Sequence, residues 1–243
     1  MRNPLTLLAL AALLSIAPVL TAQEGGGENA PPPGTFAQPS IVNPSWSFEL
    51  SMLTPNAIAV PTARGRVAWY WYAAYRVTNN TGEDRLFIPE VVVLNNHGEI
   101  VQTNRRIPPS VYPAIATRLG NSLLESPTDV VGRLLQGPDF AKESVAIWPA
   151  SERDVDEFTL FFAGIDGETK PLVSPQTGET ILEAATDPIT GKPVLDPDGK
   201  PVLRPVMVQR TRAFTFQTPG TLGEGDNLRR QPVRLVTEFE VMR

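Results

Sequence analysis

The sequence contains no cysteine and a single histidine, His97. Without thiols there is no disulfide framework and no lipid anchor on an N-terminal cysteine. Zinc sites of the usual kind, which draw on several His or Cys ligands, are removed as well. Nucleophilic catalysis of the Ser-His-Asp or Cys-His type needs a histidine base. His97 follows Asn95-Asn96 and precedes Gly98, so it reads as a turn residue. The phosphate-loop pattern and the dinucleotide fingerprint are both missing, and no motif implies a cofactor. Basic residues are in deficit, with 21 Lys and Arg against 26 Asp and Glu. This acidic balance argues against nucleic acid or an anionic membrane surface as the main partner.

Long apolar runs are also scarce, and the one present is at the start. Arg2 is followed by an apolar stretch over residues 5–20 and a small-residue exit at Thr21-Ala22. The run is too short to span a bilayer comfortably, so residues 1–22 read as a secretory signal peptide. No later run approaches the roughly 18–20 apolar residues that a spanning helix needs. The expectation is an exported chain, periplasmic or extracellular, with no membrane insertion after signal cleavage. Loss of Arg2 with the signal takes the formal charge from −5 to −6. An exported domain without disulfides must be held by its core, and 42% apolar content allows one. Residues 23–39, with Gly25-Gly26-Gly27 and Pro31-Pro32-Pro33, read as a flexible linker, leaving residues 40–243 as the folded domain.

From Trp46 onward the apolar pattern has period two. Trp46, Phe48 and Leu50 alternate with polar neighbours, as a half-buried strand does. In Val67–Thr78 one face carries Val67, Trp69, Trp71, Ala73, Tyr75 and Val77, and the other Ala68, Tyr70, Tyr72 and Ala74. Both faces are apolar, which predicts a central strand. Residues 86–94 are expected to return as a strand interrupted at Pro89, and residues 95–98 to close a hairpin into 100–103. Helical spacing then predicts two short covering helices. One holds Val111, Ile115 and Leu119 and stops at Gly120; the other starts at Ser126-Pro127 and stops at Gly137-Pro138. Their expected task is to hide Tyr70 and Tyr72. Strands resume at 144–148 and 157–163.

Residues 168–205 hold three degenerate copies of one short pattern, starting at Ser174, Asp187 and Asp196 and ending on Ile-Leu or Val-Leu. Each combines Pro, Gly and a polar first residue, as tight turns require, so the segment reads as an inserted β-hairpin arm. Strands at 206–216 and 233–242 finish the core. The expected fold is mainly β: an antiparallel immunoglobulin-like β-sandwich with the two helices and the arm.

Three stretches, residues 72–83, 91–99 and 145–164, resemble the immunoglobulin-like domains of uncharacterised bacterial secreted proteins. The shared elements are an aromatic strand running into Val-Thr-Asn-Asn-Thr-Gly-Glu, an Asn-His-Gly turn, and Val-Ala-Ile-Trp ahead of Phe-Thr-Leu-Phe-Phe-Ala-Gly. The resemblance implies an adhesive, scaffolding or envelope-associated module and carries over no catalytic residues.

Residue chemistry leaves few other candidates. Asp154, Asp156 and Glu157 could form a carboxylate pair for glycoside hydrolysis, although a solvated loop explains them. Asp196-Pro-Asp198-Gly199 offers two acids for calcium, but Lys200 and Pro201 interrupt any EF-type loop. Arg105-Arg106 and Arg229-Arg230 are isolated basic pairs, and Asn79-Asn80-Thr81 matches a glycosylation pattern in a turn. Trp69, Tyr70, Trp71 and Tyr72 could stack on sugar faces if exposed, or form core if buried. The favoured reading is a non-catalytic exported interaction or structural module with an envelope or extracellular protein partner. A carbohydrate-binding sandwich using those four aromatics is the alternative.

Overall fold

A computed structural model of the chain describes residues 39, 46–62, 65–150, 155–218 and 233–243. Residues 1–22, the linker up to residue 38, Asp154, Arg229-Arg230 and the glycine-rich segment at 220–225 lie outside them.

The chain is mainly β, and its sheets are antiparallel. The first sheet centres on β3 (Val67–Thr78). β1 (Glu49–Met52) and β2 (Asn56–Pro61) line one edge of it in turn, and β8 (Lys142–Pro149) lines the other. The second sheet runs β14 (Arg234–Met242), β13 (Met207–Gln217), β9 (Glu157–Ala163), β5 (Glu90–Asn95), β6 (Ile100–Gln102). β10 (Thr169–Pro171) continues beside β13 beyond β9. The central position expected of β3 is met, with partners on both edges.

The two faces of β3 explain its apolar density. Trp71, Ala73, Tyr75 and Val77 point toward the second sheet and form the main core with Val91, Val93, Phe158, Leu160, Phe162, Phe214 and Phe216. Tyr70, Tyr72 and Ala74 point the other way, under α1 (Val111–Leu119), where Val111 and Ile115 are buried against them. Helix α1 stops at Gly120, whose left-handed φ of 60° lets its N–H bond the Ala116 carbonyl at 3.0 Å. Arg118 in the last turn donates to the Ala57 carbonyl at 2.9 Å, which fixes the helix over β2.

β1 and β2 are one strand broken by an extra residue. Met52 pairs with Tyr75 and Asn56 with Tyr72, so four steps on one strand meet three on the other. A one-residue bulge reverses side-chain parity. Before it Phe48 and Leu50 face the main core; after it Ala57 does, while Ile58 and Val60 turn to the helix side. Ala57-Ile58-Ala59-Val60 has no polar alternation from which β2 could be read, because Ala57 packs in the main core and Ile58 and Val60 under α1 while the exposed position is the alanine Ala59.

Two sequence expectations need correction. The second helix does not form. Ser126 does start a turn, its carbonyl taking the Val130 N–H at 3.1 Å and its hydroxyl the Asp129 N–H at 3.2 Å. Gly132, with φ 143°, then leaves helical space, and Gly132–Leu134 becomes strand β7. Its partner is β4 (Arg85–Phe87), so the run expected as one strand over 86–94 divides at Ile88-Pro89 into β4 and β5, which join different sheets.

The residues leading into β1 pair with the link between β9 and β10. Phe48 N–H bonds the Ile165 carbonyl at 2.7 Å, and Gly167 N–H bonds that of Trp46 at 3.1 Å. Close approach explains both glycines of this link. A Cβ on Gly167 would overlap the Trp46 indole, and one on Gly164, whose φ is 81°, would overlap the Ile88 carbonyl.

Candidate functional site

After β10 the chain leaves the sheet as a branched ribbon. Leu172 N–H donates to the Val206 carbonyl at 2.7 Å, Val206 N–H to Ile181 at 2.9 Å, and Ile181 N–H to Leu172 at 2.8 Å. Three chain segments thus meet in a closed ring of hydrogen bonds, and the first hairpin branches off there. β11 (Leu182–Ala184) and β12 (Leu203–Pro205) then pair. A second ring follows: Ala185 N–H to Val202 at 2.8 Å, Val202 N–H to Val194 at 2.9 Å, and Val194 N–H to Ala185 at 2.8 Å. From it the second and third hairpins diverge.

The repeated sequence pattern builds each hairpin the same way. Ser174, Asp187 and Asp196 close the tips by donating N–H to Glu179, Lys192 and Lys200 carbonyls, each at 2.8 Å. Gly178, Gly191 and Gly199 take the left-handed positions with φ of 73°, 67° and 79°. Asp187 Oδ1 accepts the N–H groups of Thr190 at 2.7 Å and Ile189 at 2.9 Å, and these bonds hold its carboxyl below the usual aspartate range. Asp196 Oδ1 likewise accepts from Asp198 and Lys200, so this acid builds a turn. Among the described residues no group of three or more His, Cys, Asp or Glu is placed to hold a metal ion.

No residue from Pro171 to Met207 is buried. In each copy the first apolar residue, Ile181, Val194 or Val202, supplies a ring N–H. The second, Leu182, Leu195 or Leu203, is 51%, 57% and 59% exposed. On the β11–β12 ribbon Leu182 and Leu203 share one face, and the Glu183–Arg204 ion pair, at 2.9 Å, takes the other. Proline at 171, 193, 201 and 205 removes N–H donors along this ribbon. It therefore offers apolar faces more readily than strand edges.

The four aromatics of β3 are placed differently from one another. Tyr70, Trp71 and Tyr72 are buried and Trp69 is half-buried. Trp71 packs in the main core, and Tyr70 and Tyr72 lie under α1. A cavity of about 360 Å³ opens between the sheets beside Trp71, Trp148 and Phe158, with Asn95 and Glu99 on its rim. Those two rim groups close the β5–β6 turn. Asn95 Nδ2 donates to Glu99 Oε2 at 2.7 Å, and Asn95 Oδ1 accepts the His97 and Glu99 N–H groups at 3.0 Å. His97 is thereby placed in the turn. Asp156 and Glu157 are exposed at the entry to β9, and Arg105 and Arg106 are exposed as well.

Two polar arrangements were hidden in the sequence. Asn79 of the glycosylation pattern is buried, its amide donating to the Leu134 carbonyl at 2.8 Å and the Glu83 carbonyl at 2.9 Å. It ties the end of β3 to the β4–β7 ribbon. Arg210 on β13 gathers Glu168 at 3.2 Å, Asp166 at 3.9 Å and Glu240, and burial pushes the Asp166 carboxyl up from its ordinary range. Nothing in the sequence spacing links these residues, because they come from three separate segments.

No protein-family model, curated protein or solved structure matches this chain.

Proposed function

We propose that this protein is an exported, non-catalytic module of the bacterial envelope whose immunoglobulin-like sandwich presents the branched ribbon of residues 172–206 to a protein partner. The observation that carries this reading is the ribbon itself. More than thirty residues add nothing to the core, yet a repeated pattern keeps one leucine per copy exposed at equivalent positions. Exposed apolar surface organised in this way marks contact with another macromolecule.

Strand order supports the immunoglobulin-like reading. Immunoglobulin domains set strands A, B, E and D against C, F and G, and no strand among the described residues takes the part of D. Here β1/β2, β3 and β8 take the places of A, B and E, and β5, β9 and β13 those of C, F and G, with β6 and β14 added at the edges. Export rests on the charged start and apolar run of residues 1–22. The absence of cysteine and the single turn histidine support a non-catalytic role.

The test compares the tagged chain with a variant in which residues 173–205 are replaced by a short Gly-Ser turn. Both are incubated with envelope fractions and with insoluble polysaccharides. A protein retained by the full chain and lost from the shortened one is the expected result. Equal retention by both overturns the role of the ribbon, and selective retention on polysaccharide favours the carbohydrate-binding alternative.

A further inference from the structure

The β4–β7 ribbon is two-faced. Phe87 and Leu134 point inward and are buried in the main core. Leu86 stands opposite Arg133 on the outward face. Strand alternation carried one residue past each end of the pairing puts Ile88 and Val131, and Asp84 and Leu135, on the side of Leu86 and Arg133, and all four are exposed. The apolar members of this face are far from covered: Leu86 is 63% exposed, Ile88 55%, Val131 44% and Leu135 37%. Core residues beneath and the Asn79 amide behind hold the ribbon in place. It is a fixed platform, unlike the projecting 172–206 segment.

The charges on the platform indicate what it fits. Asp84 and Arg133 are both exposed, and neither has an ion-pair partner among the described residues. One acid and one base therefore sit diagonally on an apolar face, flanking Leu86 and Leu135. An isologous contact needs a patch that complements itself, residue i meeting j while j meets i. A two-fold axis passing between the two charges does this twice over. Asp84 of one copy meets Arg133 of the other at both ends, and Leu86 and Leu135 each meet their own counterparts near the axis.

We infer that the outward face of the β4–β7 ribbon is a homotypic contact, through which two copies of this chain pair face to face. A face of this size belongs to the small, transient class of interfaces, so pairing is concentration-dependent. The inference is independent of the partner proposed for residues 172–206.

Sedimentation velocity over a concentration series tests it, using the purified full chain. The wild-type chain is expected to pass from monomer to dimer. Asp84→Arg and Arg133→Asp each place like charges at both contacts, and each should weaken pairing about tenfold or more. An equimolar mixture of the two variants should recover it as a heterodimer, because every contact then joins opposite charges. Leu86→Ser should abolish pairing, with a thermal melt matching wild type to show that the fold survives. A wild-type chain that stays monomeric throughout overturns the inference. So do single variants that pair like wild type, or a mixture that does not pair when the wild type does.

Discussion

Trp71 and Trp148 stand side by side on β3 and β8 with ring centroids 6.5 Å apart and planes 16° from parallel. Phe158 from the facing sheet meets both edge-on, at 5.4 Å from each. This trio couples the two sheets. Truncating a large buried aromatic costs about 3–5 kcal/mol, a large part of a usual total of roughly 5–15. Trp71→Ala and Trp148→Ala should therefore lower the denaturation midpoint strongly, whereas Trp69→Ala, at a half-buried position, should cost distinctly less. Urea titrations followed by circular dichroism rank the three, and equal losses would remove the distinction drawn between them.

Replacing residues 173–205 by a short Gly-Ser turn should leave the fold intact. The segment contributes no buried residue, while β10 and β13 keep their own pairing. About 1 kcal/mol shifts the melting temperature of a domain of 150–250 residues by roughly 2–4 °C. A change of only a few degrees is expected in calorimetry, and loss of cooperative unfolding would place the ribbon within the folding unit.

Gly167→Ala should be destabilising by about 1–3 kcal/mol, the usual range for forcing atoms into packed space. The added methyl meets the Trp46 indole, which is itself held between Phe48, at 5.0 Å, and the Arg85 guanidinium, at 4.7 Å. Trp46→Leu should relieve part of the strain, so the double variant should lose less than the two single losses added. Simple additivity in thermal melts would show that the indole is not the obstacle.

The Arg210 cluster gives a pH signature. Burial raises the Asp166 carboxyl, so the folded chain holds that proton more tightly than the unfolded chain does. This contribution to stability is fully present below the unfolded value of about 3.9 and is lost as pH rises through the folded one. Asp166→Asn keeps an oxygen to accept the Glu168 N–H, at 2.6 Å, and should remove that loss. Arg210→Met deprives Asp166, Glu168 and Glu240 of their shared cation and should cost about 2–4 kcal/mol at neutral pH. Urea titrations at several pH values check both; a wild-type-like midpoint for Arg210→Met would show that the cluster is electrostatically idle.

Strands with strict alternation were legible in the sequence. β9 shows why: Phe158, Leu160 and Phe162 face the core on every second residue. The double apolar face of β3 announced both its central place and the helix over Tyr70 and Tyr72. The second helix failed because Val130, Val131, Leu134 and Leu135 fit helical spacing while Gly132 breaks it, and inward Val130 and Leu134 satisfy the core without a helix. Pairing partners were the other gap. That β4 would pair with β7, or that Arg210 would gather three acids, depends on segments brought together only by the fold. The three hairpin tips were readable because each is closed by local bonds. The rings that join them were not, since each links backbone groups from three places.

Those rings make the projecting segment a stem with detachable branches. Each ring satisfies the backbone groups at its own fork, so a hairpin can be gained or lost as one unit without disturbing its neighbours or the register of β10 with β13. Copy number, more than point substitution, is thus the natural way for such a segment to change its reach. The three copies, residues 174–182, 187–195 and 196–203, are units of this kind.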